Sequence, residues 1–224
     1  MDDSAMDPTT DPTARFHHAA EAALGNERQR ANYRGALRTV RGRRDALFAQ
    51  LTDGEELQRI GNAVKQASLA RLPELLEQLE ARLTERGIQV HWAETTDEAN
   101  HIVLEIAQRN AVRSVVKGKS MVSEEMELNH FLTEHGIEAL EADLGEFIVQ
   151  LAGQTPCHIV VPAVYLDRTE IAQLFQQRLG EPYTDDPAEL TAIARRILRE
   201  KYQTADMGIT GVNFAVAETG SICL

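Results

Sequence analysis

Apolar residues recur at spacings of three and four along most of the chain, which is the periodicity of an amphipathic helix. The spacing predicts helices over residues 57–67, 73–87, 95–107, 122–135, 147–151, 169–179 and 187–202. Pro73 suits a first helical turn, and Gly87 and Gly136 suit helix ends. Thr95 and Glu98 have the spacing of a capping box. Helices therefore make up most of the predicted fold.

Short apolar runs between these helices predict strands over residues 88–92, 114–117, 137–142, 158–161, 211–217 and 221–224. Single helices separate most of them, which is typical of right-handed βαβ units. We therefore predict an α/β fold with a mostly parallel sheet flanked by helices on both faces. The last run reaches Leu224 without a polar residue to end it, so we expect the natural protein to be longer.

The N-terminal part has a different composition. Residues 1–13 are polar and predict a disordered tail. Residues 14–50 contain eight Arg and no Lys between Arg15 and Arg44, with a thin apolar stripe, and predict an Arg-rich helical arm. The arm is either a solvated helical face or a docking surface for an acidic partner or the protein body. Residues 51–224 form the predicted main domain.

Charge and composition exclude several classes of protein. Twenty-three basic and 35 acidic residues give a net charge of −12, which disfavours binding to nucleic acid. No run is apolar for the roughly 20 residues that a membrane-spanning helix needs. Two cysteines cannot form a disulfide framework, and the polar N-terminus is unlike a signal peptide. We expect a cytoplasmic protein without membrane insertion.

The first candidate site follows the predicted strand at residues 114–117. Ligands of open α/β sheets bind beyond the carboxyl ends of the strands. Lys117, Lys119 and Ser120 lie at such an end, directly before a helix, and could bind a small anion. Asn129 could face the same crevice. A surface role for the lysines is equally open, and the missing upstream glycine excludes a P-loop.

The second candidate site is the sequence Glu218-Thr219-Gly220 between two apolar runs. Glu218 could be a nucleophile or base, or it could lie in an ordinary hairpin turn. In a parallel α/β fold we expect this turn to converge with Lys117–Ser120 on one crevice, where Glu218 is the catalytic residue and Thr219 and Gly220 bind ligand.

Other acidic residues and the histidines have simpler explanations. Glu124, Glu125, Asp143 and Glu146 fall in predicted first helical turns, where the helix dipole favours acids. The seven histidines show no metal-ligand spacing, so we predict no metal site.

Four segments together resemble one known family. They are residues 119–125 (KSMVSEE), 141–151 (EADLGEFIVQL), 158–163 (HIVVPA) and 209–221 (ITGVNFAVAETGS). Their order and content resemble the lactate utilisation protein B family over about residues 14–224. The resemblance implies a fold like that of glucosamine-phosphate isomerases, ribose-phosphate isomerases and CoA transferases.

The resemblance also implies a function. Members take part in the oxidation of L-lactate to pyruvate with lactate utilisation proteins A and C. A ferredoxin-like segment after this domain binds two [4Fe–4S] clusters. That segment is absent here, and Cys157 and Cys223 match no cluster motif. We therefore expect this domain to bind substrate, cofactor or partner while the other segment carries electrons.

A different class of function stays open at this point. A CoA-transferase-like or sugar-phosphate-isomerase-like enzyme could use Glu218 for catalysis and Lys119 to hold an anionic group. Whether the protein forms a homo-oligomer is also open.

Overall fold

The structure is a computed structural model that describes residues 12–154, 156 and 161–224. Its helices are α1 (Pro12–Gly25), α2 (Glu27–Phe48), α3 (Gly54–Ala70), α4 (Leu72–Glu85), α5 (Thr96–Arg109), α6 (Met121–Glu125), α7 (Leu128–Glu134), α8 (Leu144–Ala152), α9 (Arg168–Leu179) and α10 (Pro187–Thr204). Its strands are β1 (Ser114–Lys117), β2 (Glu138–Glu141), β3 (Met207–Ile209), β4 (Phe214–Val216) and β5 (Ser221–Cys223). The α/β class is therefore confirmed.

Among the described residues, the sheet that organises the domain has three parallel strands in the order β2-β1-β3. Lys117 of β1 pairs in register with Glu141 of β2 on one side and with Ile209 of β3 on the other. The carboxyl ends of all three strands consequently meet at one edge. The prediction of a parallel sheet is confirmed.

One predicted strand is absent, and two others form a separate hairpin. Residues 88–92 form no strand, and the Trp92 indole donates a hydrogen bond of 3.0 Å to Glu80 of α4 instead. The runs at 211–217 and 221–224 contain β4 and β5, which pair with each other as an antiparallel hairpin outside the parallel sheet. The strand predicted at 158–161 lies outside the described residues except for Val161.

Strand β3 was not predicted because it is three residues long and contains Gly208. The Asp206 carboxylate aligns it with β1 by accepting hydrogen bonds from the backbone N–H groups of Arg113 and Ser114 at 2.9 and 3.0 Å. These hydrogen bonds, with one from the Ser114 hydroxyl, hold the pKa of Asp206 below its ordinary value. The hydrogen bonds of Asp206 thus position β3, which is too short to be recognised by a run of apolar residues.

The helix predicted at 122–135 is two helices, α6 and α7. Glu127 adopts a left-handed backbone conformation with φ of 53°, which interrupts the helix between them. The buried side chain of Asn100 donates a hydrogen bond of 2.9 Å to the Met126 carbonyl at this break. After the break α7 packs against β2 and α5, while α6 contacts the end of β1 through Ser123 and Glu124.

Two apolar clusters form the core. The first joins the sheet to α5 and α7, and its buried members are Leu104, Ala107, Val112, Val115, Leu128, Leu132, Ile137 and Ala139. The second joins α8, α9 and α10, and its buried members are Phe147, Ile148, Ala172, Phe175, Leu190, Ala194 and Leu198. Helix α8 therefore packs between the sheet and the C-terminal helices.

The N-terminal helices are the least buried part of the described structure. Helices α2, α3 and α4 contain no buried residue. Arg28 of α2 forms a 2.5 Å ion pair with Asp167, and Asn32 donates a 3.0 Å hydrogen bond to the Tyr165 carbonyl. The arm is thus helical and attached through polar contacts, while the tail over residues 1–11 lies outside the described residues. The boundaries at residues 13 and 50 stay predictions.

None of the helices in the described ranges combines the length and the apolar character needed to cross a membrane.

Candidate functional site

A buried lysine lies at the carboxyl end of β1. The Lys117 side chain is 1% exposed, and its Nζ lies 2.8 Å from Ser123 Oγ, 2.9 Å from Glu124 Oε1 and 2.7 Å from Glu141 Oε1. A lysine ammonium has three N–H donors, and these three acceptors match them. Lys117 therefore binds side chains of its own protein.

The opposing charges keep Lys117 protonated despite its burial. Burial by itself would lower the pKa of the ammonium. The hydrogen bonds to Glu141 and Glu124 and the negative charges of these residues outweigh the effect of burial. The pKa of Lys117 therefore lies above its ordinary value.

Ser120 starts the helix that supplies two of these acceptors. Its Oγ accepts a hydrogen bond from the Ser123 backbone N–H at 3.3 Å, which is a normal N-cap contact. The Ser123 hydroxyl in turn donates to the Ser120 carbonyl at 2.9 Å. The cap places Ser123 and Glu124 in the first turn of α6, facing Lys117. The Ser120 hydroxyl thus has a structural role as the cap of α6. A ligand that contacts this hydroxyl would share it with the cap.

Glu141, at the carboxyl end of β2, is the second buried charge. Its Oε1 pairs with Lys117 and accepts a 2.5 Å hydrogen bond from Asn129 Nδ2. The other carboxylate oxygen, Oε2, is buried and has no hydrogen-bond partner in the described structure, and the same holds for Asn129 Oδ1. Unpaired buried oxygens cost free energy, so these two atoms call for an explanation.

Glu146 of α8 is the third buried charge and the most perturbed one. Asp143 caps this helix by accepting hydrogen bonds from the N–H groups of Gly145 and Glu146, which directs the Glu146 side chain inward. Burial, followed by the negative charge of Glu141, raises the pKa of Glu146 to about 7. The positive charge of Lys119 partly opposes that rise. Glu146 therefore titrates near neutral pH.

Lys119 lies at the rim of this cluster. Its Nζ is 3.7 Å from Asp143 Oδ2 and 4.0 Å from Glu146 Oε1, and its side chain is 33% exposed. A Cβ on Gly118 would lie 2.9 Å from Thr210 Oγ1, and one on Gly211 would lie 3.1 Å from the Lys119 carbonyl oxygen. Gly118 and Gly211 thus let the two segments pack closely, which holds the Lys119 loop at the sheet edge.

The turn Glu218–Gly220 joins β4 to β5 and packs against α4. Arg86 Nε donates a 3.0 Å hydrogen bond to the Thr219 carbonyl. Gly220 has φ of 65°, and a Cβ there would lie 2.8 Å from Arg82 Cβ. Glu218 and Thr219 are exposed.

Of the predicted site residues, the structure brings together Lys117, Lys119, Ser120 and Asn129. Within the described ranges, no hydrogen bond or ion pair connects Glu218 to these residues. The convergence of the two groups therefore stays a prediction.

Sequence reasoning missed Glu141 and assigned Glu146 to a helix start only. The available signal was Glu141 at the end of a predicted strand, in a position equivalent to Lys117 at the end of β1. Opposite charges at matching strand ends can pair across a parallel sheet. The burial of Glu146 has no comparable signal, because it depends on how α8 packs.

The chain itself does not fit the iron–sulfur clusters that the resemblance implies. Each cluster needs four cysteine thiolates, and the sequence contains two cysteines. Cys223 is exposed on β5, and Cys157 lies outside the described residues. No group of three or more His, Cys, Asp or Glu residues within the described ranges is arranged to hold a metal ion.

Comparison with known proteins identifies relatives. The LUD domain family model matches residues 76–224. Lactate utilization protein B of Bacillus thuringiensis (strain Al Hakam) is 43% identical over 175 residues, which is 78% of this chain and 37% of the relative. The proteins of the same name from Bacillus cereus (strain B4264) and Bacillus anthracis (strain CDC 684 / NRRL 3495) match equally. The chain thus spans 37% of the length of these relatives.

No solved structure is significantly similar, so the isomerase or CoA-transferase type of fold has no structural comparison behind it. The family match covers the sheet, the buried charge cluster and the β4–β5 hairpin. The chain therefore belongs to the LUD domain family, and the lactate utilisation B proteins are among its relatives.

Proposed function

We propose that this chain is the LUD part of a cytoplasmic protein that takes part in oxidising L-lactate to pyruvate. The observation that carries the proposal is the 43% identity to lactate utilisation protein B, which extends over the charge cluster at the sheet edge. Two [4Fe–4S] clusters elsewhere in the full-length protein would carry electrons, with lactate utilisation proteins A and C as partners. This chain would contribute binding of a small anion.

The rim of the cluster is where we propose that the anion binds. Lys119 is partly exposed, and it lies at the carboxyl ends of parallel strands, where ligands of α/β folds bind. A carboxylate there would compete with Asp143, whose Oδ2 is 3.7 Å from Lys119 Nζ, for the same ammonium. The Ser120 hydroxyl lies in the same loop. Lys119 is therefore the proposed ligand-binding residue.

Lys117 and Asn129 have a positioning role in this proposal. The Lys117 ammonium holds together the side chains of Ser123, Glu124 and Glu141, next to the loop that contains Lys119. Asn129 orients the Glu141 carboxylate. These contacts fix the strand ends and the start of α6, which keeps the Lys119 loop in place.

Titration with L-lactate tests the binding site directly. Backbone NMR signals of Gly118, Lys119 and Ser120 should shift on adding L-lactate to the chain. Lys119→Ala should abolish the shifts, while Lys65→Ala, which removes an exposed lysine from α3, should retain them. Absence of shifts in the unmodified chain, or their persistence in Lys119→Ala, would contradict the proposed site.

Growth of a deletion strain on L-lactate tests the proposed role in lactate utilisation. A strain whose parent gene is deleted should fail to grow on L-lactate as its carbon source, and the parent gene should restore growth. Normal growth of the deletion strain, in the absence of a paralogue, would contradict a role in lactate utilisation.

A second candidate function is covalent catalysis by Glu218 in a CoA-transferase-like or isomerase-like reaction. It is favoured by one observation: the Glu218 carboxylate is exposed in a turn whose backbone is held by Arg86. An exposed carboxylate can attack the acyl carbon of acyl-CoA and form a mixed anhydride, with the CoA thiolate as the leaving group. Attack of that thiolate on the glutamyl carbonyl then gives an enzyme-bound CoA thioester and releases the acyl group as a carboxylate. Incubation with acyl-CoA and borohydride should then label Glu218, and mass spectrometry without an adduct there would contradict this function.

A further inference from the structure

We infer that Glu141 and Glu146 share one proton, and that an anion bound beside Lys119 makes this pair take up a proton from solvent. The second half of the inference rests on the proposed function, since it uses the anion site at Lys119. The first half depends only on the geometry of the ligand-free protein.

The shared proton follows from the contact between two buried carboxyl groups. Glu141 and Glu146 are 4% and 5% exposed, and contact with the Glu141 carboxyl group is among the causes that raise the pKa of Glu146. Each has one buried oxygen, Oε2, that finds no donor among the described residues. Two ionised carboxylates cannot donate to each other, whereas one proton between them provides the missing donor. The hydrogen-bonding needs of the two carboxyl groups are therefore met when the pair carries one proton.

The surrounding cations are placed unequally about the two carboxyl groups. Lys117 of β1 forms an ion pair with Glu141 at 2.7 Å and another with Glu124 of α6 at 2.9 Å. Glu146 has Lys119 at 4.0 Å, and Asp143 at the start of α8 takes part of that same charge at 3.7 Å. Lys119 is thus farther from Glu146 than Lys117 is from Glu141, and its charge is shared with Asp143.

The coupling follows from the position of Lys119. Its positive charge favours the ionised form of Glu146. An anion bound to Lys119 offsets this charge and adds a negative one close to Glu146, and both changes favour the protonated form. The proton moves from solvent to the Glu146 carboxylate, and no other bond changes. Anion binding should consequently tighten as pH falls through neutrality.

Carboxyl NMR on the ligand-free chain tests the shared proton. With ¹³C-labelled glutamate, one carboxyl signal should titrate close to neutral pH, and Glu146→Gln should remove it. Glu105→Gln, an exposed substitution on α5, should leave it unchanged. Titration of every glutamate below about pH 5.5 would overturn the shared proton, since an unperturbed glutamate titrates near 4.3.

Calorimetry with L-lactate tests the coupling. In two buffers of different ionisation enthalpy near pH 7, the binding heats should differ in the sense of proton uptake, by up to one proton per site. Glu146→Gln should abolish the difference while L-lactate still binds, and Glu105→Gln should preserve it. Binding without a buffer dependence would overturn the coupling. Absence of any binding would overturn the coupling and the anion site together, while the NMR titration would still decide on the shared proton.

Discussion

Lys117 and Glu141 occupy matching positions at the ends of adjacent parallel strands, and their side chains form a 2.7 Å ion pair that is almost completely buried. The pair connects β1 to β2 at the strand ends, beside a 2.9 Å backbone hydrogen bond from the Ala142 N–H to the Lys117 carbonyl. Through Glu124 and Ser123 it also fixes the start of α6. A buried charge pair of this kind is costly to break, because the remaining partner keeps its charge without compensation.

Replacement of Lys117 by methionine should therefore destabilise the fold strongly. Lys117→Met leaves Glu141 and Glu124 without their cation, and loss of one partner of a buried pair costs about 3–5 kcal/mol. Urea unfolding should show this loss of free energy. The matched variant Lys119→Met removes a partly exposed lysine and should cost less than about 1 kcal/mol. Similar stabilities for the two variants would contradict the buried role of Lys117.

The stability of the protein should fall as pH rises toward neutrality because of Glu146. The folded protein holds this proton up to a pKa of about 7, whereas the unfolded chain releases it near 4.5. Between these values the folded state binds more protons, so the free energy of unfolding decreases with pH, by at most about 3 kcal/mol for this group. Denaturant unfolding at several pH values measures the slope.

Glu146→Gln is the control for this pH dependence. The neutral amide does not titrate, so the decrease in unfolding free energy between acid and neutral pH should become shallower than in the unmodified protein. Comparison of the two proteins at each pH cancels the contributions of other groups, such as Asp206. Equal slopes would show that Glu146 ionises like an ordinary glutamate.

Gly220→Ala should loosen the hairpin from α4. Its φ of 65° strains any other residue, and its Cβ would lie 2.8 Å from Arg82 Cβ. Gly87→Ala is matched for backbone strain, with φ of 79° and no atom near its Cβ. Gly220→Ala should cost about 1–3 kcal/mol more than Gly87→Ala through overpacking. Faster amide hydrogen exchange in β4 and β5 should accompany it, and equal effects of the two variants would contradict the packing against Arg82.

Removal of residues 1–50 should leave a folded domain. Helix α2 has no buried residue, and its ion pair between Arg28 and Asp167 is exposed, so the truncation removes little apolar contact. Thermal unfolding should stay cooperative, with a midpoint within a few degrees of that of the full chain. Aggregation or a broad, non-cooperative transition at low salt would show that the arm belongs to the core.

The sequence by itself determined the helices, the parallel pairing of the main strands and the family. Apolar periodicity and helix end signals are local, so α3, α4, α5, α9 and α10 were predictable. The position of the Lys119-Ser120 loop at a strand end was also predictable, because parallel strands place their carboxyl ends at one edge of the sheet. The family resemblance depends on residue order alone and did not need the fold.

Only the tertiary structure decided how the charges combine. Glu141 and Glu146 lie on different elements, and nothing local indicates that both are buried, with Glu141 paired to Lys117 and Glu146 near Lys119. The β4–β5 hairpin likewise has strand-like residues whose sheet depends on distant contacts with Arg82 and Arg86. Local patterns specify which faces are apolar, whereas burial and the ionisation of a side chain depend on residues that are far apart in sequence.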